Sequence, residues 1–351
     1  MAGRIAVYLI TGFLGSGKTT FLNRFMEMLP EGRRVAVLMN EIGEIGVDGP
    51  LVMGKGGKDF DLVEISRGSI FCICVKTDFI KALYEIAWRI QPDLLIMEST
   101  GVADPTDLKR DLNLPLFKNR FHLQDQFCVL DAVNFEEAYP VFASIEKQIA
   151  SSTLFIINKK DLSSPDRIDR VKNIVRRHHP APRFVETSYG DVLPDDLLKC
   201  MKMLSAKEGK ENSPPPSPQD LDNAVDQLMT FSTIGLMPPD RLVSAVYAWK
   251  GDDIGSFQDL MKKFPGKILR GKGFIKDNET TLLFNLVMGK TELKPITLPG
   301  NRTDLLNRIV FIGPAETLKR LEDLSNENPS FSKGITFDPM EGVKRSSALY
   351  S

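Results

Sequence analysis

From Ile5 to about Thr187 the chain alternates short apolar, often β-branched runs with longer segments whose apolar residues recur at helical spacing. The runs occupy residues 5–10, 35–39, 61–65, 94–98, 126–130, 153–157 and 183–186. Strand-length runs separated by helix-length segments predict parallel βαβ units with both sheet faces covered. The expected fold is α/β, an open doubly wound and mostly parallel sheet, with ligands beyond the carboxyl ends of its strands.

The pattern breaks at residues 205–218, Ser-Ala-Lys-Glu-Gly-Lys-Glu-Asn-Ser-Pro-Pro-Pro-Ser-Pro, which has no apolar face to bury and reads as an exposed linker. Residues 1–204 are therefore expected to form one domain and 205–220 the linker. Residues 221–327 should form a smaller C-terminal α+β domain, and 328–351 a polar tail. In the smaller domain, strands are expected at 229–234, 242–249, 266–275, 280–288 and 308–312, with helices at 253–264 and 315–326.

A chain of 351 residues is long enough for two cores. The formal net charge of −1 gives no global field for nucleic acid or anionic lipid, so neither is expected as a partner. The apolar run 5–10 is too short for a signal-peptide core, and no run approaches the ~20 apolar residues that cross a bilayer. A soluble, cytoplasmic protein is the expectation. Four cysteines (Cys72, Cys74, Cys128, Cys200) do not make a disulfide framework in so long a chain, and they read as reduced thiols.

The first chemical motif is Gly12-Phe-Leu-Gly15-Ser16-Gly17-Lys18-Thr19-Thr20, placed directly after a strand and before a helical pattern. That is the context of a phosphate loop, whose backbone N–H groups and helix N-terminus cradle a di- or triphosphate. Lys18 would reach the β- and γ-phosphates and the Thr19 hydroxyl would ligate Mg²⁺.

After the apolar run 153–157 comes Asn158-Lys159-Lys160-Asp161. A carboxylate at Asp161 can accept from both N1–H and N2–H₂ of guanine, a donor pair that adenine lacks, which points to GTP. Alone the four residues would be a solvated turn; a strand before them and a phosphate loop upstream give them the guanine reading. In Glu186-Thr-Ser188-Tyr-Gly190, backbone amides around Ser188 would contact the guanine O6. The run Leu94-Leu-Ile-Met-Glu98-Ser-Thr-Gly101 ends a strand on a carboxylate, which suits Glu98 to a water-bridged Mg²⁺ and Gly101 to γ-phosphate sensing. Val102 stands where many GTPases carry a water-orienting Gln, so intrinsic hydrolysis should be slow and completed by dimerisation, a partner or a moving loop. The stretch Met39-Asn-Glu41-Ile-Gly-Glu44-Ile-Gly-Val-Asp48 suits a switch loop in which Glu41, Glu44 and Asp48 contact Mg²⁺ or a second metal; a solvated acidic loop fits the same residues.

The order of GFLGSGKTTFLN, NEIGEIGVD, a Cys-x-Cys element, MESTGVADP and NKKDL resembles the G3E family of P-loop GTPases, in its CobW branch of metallochaperones. Residues 268–274 (ILRGKGF) and 308–313 (RIVFIG) are similar to that branch's C-terminal domain, so the resemblance runs from Ile5 to about Asp323. It implies a GTPase that couples GTP to delivery of zinc or cobalt, or to maturation of a client metalloenzyme or a corrinoid or cobalamin protein. It also puts Cys72, Cys74 and Glu44 at the metal site, with a fourth ligand from a partner chain or water. The family's Cys-x-Cys-Cys is here Cys72-Ile-Cys74-Val75, and Met39 replaces a family Glu. On an extended strand Cys72 and Cys74 would be separated by about 6.6 Å of rise, against roughly 3.8 Å between two thiolates on one tetrahedral zinc. Joint ligation then needs a local turn; otherwise the pair are buried small hydrophobes. Cys128, Cys200 and the pair His178-His179 read as structural or surface features.

Overall fold

The computed structural model describes residues 4–29, 31–40, 60–65, 73–101, 103–192, 215–231, 242–251, 253–278, 280–297 and 305–337, which fall into two compact units. In the first, β1 (Ile5–Thr11), β2 (Val35–Asn40), β3 (Phe60–Ile65), β4 (Leu94–Glu98), β5 (Phe121–Asp131), β6 (Leu154–Asn158) and β7 (Arg183–Glu186) form one sheet in the order β3-β2-β4-β1-β5-β6-β7. All six strand pairings are parallel. The chain goes to one edge through β2 and β3, then returns past β1 to the other, so the loops after β1, β4 and β5 converge at the reversal, where open α/β sheets bind ligands.

The helices that cross between the strands are α1 (Lys18–Met28), α2 (Ile73–Glu85), α3 (Pro105–Leu112), the short α4 (Phe135–Ala138), α5 (Ala143–Ser151) and α6 (Pro165–His178). In α1 the apolar residues Phe21, Leu22, Phe25 and Met26 recur at helical spacing and are all buried, giving the stripe that packs a helix on a sheet. Phe21 and Phe25 meet Tyr8 and Phe127 in a cluster of edge-on and stacked rings. This packing fixes α1 against β1 and β5, and so fixes the loop that joins α1 to β1.

The second unit is a six-stranded sheet with neighbours antiparallel, in the order β11-β10-β9-β12-β8-β13. Its strands are β8 (Val243–Trp249), β9 (Arg270–Asp277), β10 (Thr280–Val287), β11 (Lys290–Ile296), β12 (Arg308–Gly313) and β13 (Phe331–Phe337). Its helices are α8 (Ile254–Met261) and α9 (Ala315–Glu327), and its core gathers Tyr247, Trp249, Phe257, Phe284, Phe311 and Phe331.

Three expectations are corrected. Residues 229–231 of the strand expected at 229–234 instead end a helix, α7 (Pro218–Phe231), because Leu221, Val225 and Leu228 recur at helical spacing up to them, and 232–234 lie outside the described residues. That helix packs on α2 of the first unit, and Tyr84 donates to the Pro216 carbonyl at 2.6 Å, so α7 groups with the first unit and not with the C-terminal sheet. The polar tail expected from residue 328 contains β13, which pairs with β8, its Phe331 ring fully buried against Tyr247. Strand β11, which the polarity of Lys290-Thr-Glu-Leu-Lys hid, is exposed along an edge. Among the described residues, no helix is long and apolar enough to cross a membrane.

Candidate nucleotide site

The loop between β1 and α1 takes its shape from three glycines in backbone regions that L side chains avoid: Gly12 at φ 140°, Gly15 at 74° and Gly17 at 100°. Two are also sterically locked. A Cβ on Gly12 would lie 2.2 Å from the Val129 carbonyl oxygen, and one on Gly17 would lie 2.3 Å from Asn158 Nδ2. Within this loop Lys18 is buried at the start of α1, its ammonium donating to the Phe13 carbonyl at 3.2 Å. The loop thus folds around its own cation, and the N-terminus of α1 stands at its end.

Strand register brings the next group in. Glu98 closes β4 opposite Ile10 of β1 and Met39 of β2, one step before the loop begins. Its carboxylate accepts from the Thr19 hydroxyl at 2.9 Å, across 79 residues of sequence. The loop after β4 is pressed onto the glycine loop: a Cβ at Gly101 would lie 2.6 Å from the Leu14 backbone nitrogen. Gln148 of α5 holds it from behind by donating to the Gly101 carbonyl at 3.0 Å, and Ser99 donates to the Thr11 hydroxyl at 3.1 Å. Burial pushes the Asp104 carboxyl up, but hydrogen bonds from the Lys147 ammonium and the Thr106 amide win and hold it below the usual carboxylate range. That cap fixes the start of α3.

At the other rim, Asn158 is buried and fully engaged. Its amide donates to the Ser16 carbonyl at 2.9 Å and accepts from the Gly190 N–H at 3.1 Å. These two hydrogen bonds tie the glycine loop to the loop after β7. Replacing it by alanine leaves a buried carbonyl and N–H without partners. The expected cost of N158A is about 2–3 kcal/mol of folding stability, read as a lower urea midpoint with an unchanged m-value, together with weaker nucleotide binding.

Lys159 adopts φ 62° and pairs its ammonium with Asp131 at 2.7 Å. Asp131 is itself held by the Val133 and Asn134 amides and the Asn134 side chain. Asp161 sits in the exposed turn Lys160–Leu162. The Lys160 N–H donates to the Thr187 carbonyl at 3.1 Å, which sets this turn beside Ser188.

The structure therefore brings Gly12, Gly15, Ser16, Gly17, Lys18, Thr19, Glu98 and Gly101 together at one end of the sheet, with Asn158, Lys159, Asp161 and Ser188 along the adjoining rim. Thr20 is exposed on α1. Glu41, Glu44, Cys72 and Val102 lie outside the described residues. Cys74 enters only through its backbone, in the first turn of α2, so the extended spacing considered for the cysteine pair does not apply to it. Among the described residues no three His, Cys, Asp or Glu are grouped to hold a metal ion. Cys128 is fully buried, and burial pushes its thiol up to about 12, so it is inert as a nucleophile or ligand. Asp131 and Gln148 stand outside the motifs legible in the sequence; Asp131 carries the same signal as Glu98, a carboxylate closing an apolar strand.

The site fits a polyphosphate on two observations. The glycine cradle excludes any Cβ at Gly12, Gly17 or Gly101, leaving backbone N–H groups to line it. Beside it, the hydroxyls of Ser16 and Thr100 are buried without a hydrogen-bond partner, as expected of donors that face a ligand.

A doubly wound parallel sheet with this loop between its first strand and first helix is a P-loop nucleotide-binding domain. Residues 6–186 match the family profile described as CobW/HypB/UreG, nucleotide-binding domain, and residues 245–324 that of the cobalamin synthesis protein cobW C-terminal domain. The chain belongs to the CobW/HypB/UreG family. It is 28% identical over 223 residues to a zinc chaperone CobW of Sinorhizobium sp, covering 56% of this chain and 62% of that one. It is 32% identical over 215 residues to the zinc-regulated GTPase metalloprotein activator 1 of Schizosaccharomyces pombe, covering 60% of this chain and 51% of that one. The chain thus spans less than two thirds of the length of either relative. Among solved structures, the Zn(II)-bound YjiA GTPase from E. coli aligns at 21% identity and a TM-score of 0.41, over 92% of this chain and 98% of that one.

Proposed function

We propose that this protein binds and slowly hydrolyses GTP and couples its nucleotide state to the handling of zinc or cobalt, as a metallochaperone or maturation factor for a client metalloenzyme. The observation that carries the nucleotide half is the 2.9 Å hydrogen bond between Thr19 and Glu98 at the mouth of the glycine cradle. A hydroxyl and a carboxylate side by side are the pair that a P-loop magnesium site uses, which supports the reading. Mg²⁺ held there by Thr19, with Glu98 acting through a water, would neutralise charge on the phosphate oxygens. Lys18, released from the Phe13 carbonyl, reaches the β- and γ-phosphates, the Gly101 amide reads the γ-phosphate, and Asp161 selects guanine. The names of the relatives, zinc chaperone and zinc-regulated GTPase metalloprotein activator, support the metal half. Its residues are Cys72, Cys74 and Glu44, with a homodimer partner or water completing the set.

A second reading is a GTP-dependent switch that gates a cofactor-dependent client without carrying metal, favoured by Val75 at the position of the family's third cysteine. Titrating the reduced protein with Zn²⁺ and Co²⁺ in the absence of nucleotide, with GDP and with a GTP analogue separates the two. Coupling between two sites is commonly 5- to 150-fold, so the metallochaperone reading expects the analogue to change metal affinity by about tenfold or more, an effect that Cys72→Ser plus Cys74→Ser abolishes. Equal affinities in all three states would leave only the switch, whose client binding survives the double substitution.

A further inference from the structure

Few large apolar side chains are exposed among the described residues, and two of them, Tyr189 and Leu162, lie on the loops that frame the base-reading rim. Tyr189 is the more unusual. It is 65% exposed and sits at φ 56°, a left-handed conformation that a bulky residue rarely occupies. Neither exposure nor that backbone favours a tyrosine for folding, since asparagine or glycine would suit the turn better.

The backbone around Tyr189 is held by its neighbours. The Thr187 hydroxyl donates to the Asp191 carbonyl at 2.6 Å, and the Asp191 N–H donates to the Ser188 carbonyl at 3.1 Å. The Gly190 N–H is held by Asn158 at 3.1 Å, and Gly190 is pressed so closely on α1 that a Cβ there would lie 2.9 Å from Phe21 Cα. The turn is therefore braced on both sides of Tyr189. Non-glycine residues persist in such conformations where the surroundings over-determine them, and they cluster at ligand sites. The braces join this turn to the glycine loop through Asn158 and to the Asp161 turn through the bond from Lys160 to Thr187.

We propose that Tyr189 is a base-positioning residue whose ring stacks on the purine that Asp161 reads by its edge. The inference rests on the guanine reading given above and deepens it. Asp161 supplies hydrogen bonds in the plane of the base and so fixes its identity. An aromatic face supplies the perpendicular contact, which tolerates any purine but holds it in that plane. The hydroxyl has no part in this, so the ring alone matters. The exposed tyrosine then has a purpose that its conformational strain otherwise lacks.

The test uses the full chain and two probes, GDP and inorganic tripolyphosphate, each titrated calorimetrically with Mg²⁺. Tyr189→Gly removes the ring while relaxing the left-handed backbone, so the variant should melt no lower than the parent. Stacking losses on alanine substitution translate into GDP binding weakened by about tenfold or more, with tripolyphosphate unchanged. Tyr189→Phe should bind both probes as the parent does, and Tyr189→Trp should show fluorescence quenching on adding GDP but not tripolyphosphate. Unchanged GDP affinity in Tyr189→Gly, or an equal loss for both probes, would overturn the proposal while leaving the nucleotide site standing. A parent chain that binds tripolyphosphate and no guanine nucleotide would instead remove the guanine reading, and this proposal with it.

Discussion

A single methyl group at Gly12 is expected to weaken nucleotide binding by about 100-fold or more and to destabilise the first unit, whereas the same methyl at Gly32 should do little. Both glycines have positive φ, 140° and 75°, so both substitutions place an alanine where L residues are strained. They differ in what the new Cβ meets. At Gly32 there is nothing within 4 Å, while at Gly12 the Val129 carbonyl oxygen lies at 2.2 Å. That oxygen belongs to β5, which pairs with β1 and β6 at the centre of the sheet, and the strand cannot step aside without breaking its ladders. The glycine loop must move instead. The cost of Gly12→Ala, strain plus clash, should be about 3 kcal/mol or more, against about 1 kcal/mol for Gly32→Ala. Each lost amide-to-phosphate bond costs about 1.5–3 kcal/mol, so a displaced loop should weaken GTP and GDP by at least ~100-fold. Urea unfolding and calorimetric titration of the two variants check both halves. Gly17→Ala should cost about as much as Gly12→Ala, because its obstacle is the Asn158 amide, which can turn away only by giving up its two hydrogen bonds.

The parallel sheet could be read from the sequence because its strands are buried on both faces, which makes them continuous apolar runs such as Leu94-Leu-Ile-Met and Leu154-Phe-Ile-Ile. The first half of β5, His122-Leu-Gln-Asp, alternates polarity and gives no continuous apolar run before Phe127. The same weakness hid β11 and β13, antiparallel edge strands with a solvent side, and Phe331-Ser-Lys-Gly-Ile-Thr-Phe in particular looks polar until Phe331 is seen against Tyr247. The glycine loop was legible because each glycine answers a local backbone demand. The job of Asn158 was not, because it depends on where Ser16 and Gly190 lie in space, and nothing in a strand-end asparagine says whether its amide faces a base or a neighbouring loop. The role proposed for Tyr189 is not legible for a related reason, since only the fold reveals that it is both exposed and left-handed.

The base preference should invert when Asp161 is replaced by asparagine. Asp161 lies exposed in a turn braced by backbone hydrogen bonds, the Leu162 N–H to the Lys159 carbonyl and the Ser163 N–H to the Lys160 carbonyl. An isosteric change there should shift stability by no more than about 0.5 kcal/mol. Binding is another matter. On the proposed reading the carboxylate would accept from N1–H and N2–H₂ of guanine, two charge-assisted bonds worth about 1.5–3 kcal/mol each, and an asparagine NH₂ turned toward the exocyclic amine would oppose donor to donor. GTP and GDP affinity should fall by about 100-fold or more in Asp161→Asn, while tripolyphosphate, which touches only the glycine loop, should bind as before. Xanthosine triphosphate carries a carbonyl where guanine carries the amine, so the asparagine can donate to it. The variant should therefore bind xanthosine triphosphate more tightly than the parent does. A merely damaged site would lose every ligand; reversal of preference requires that this side chain face the base. If the parent binds ATP as well as GTP, Asp161 is not reading guanine, and the nucleotide assigned to the cradle changes with it.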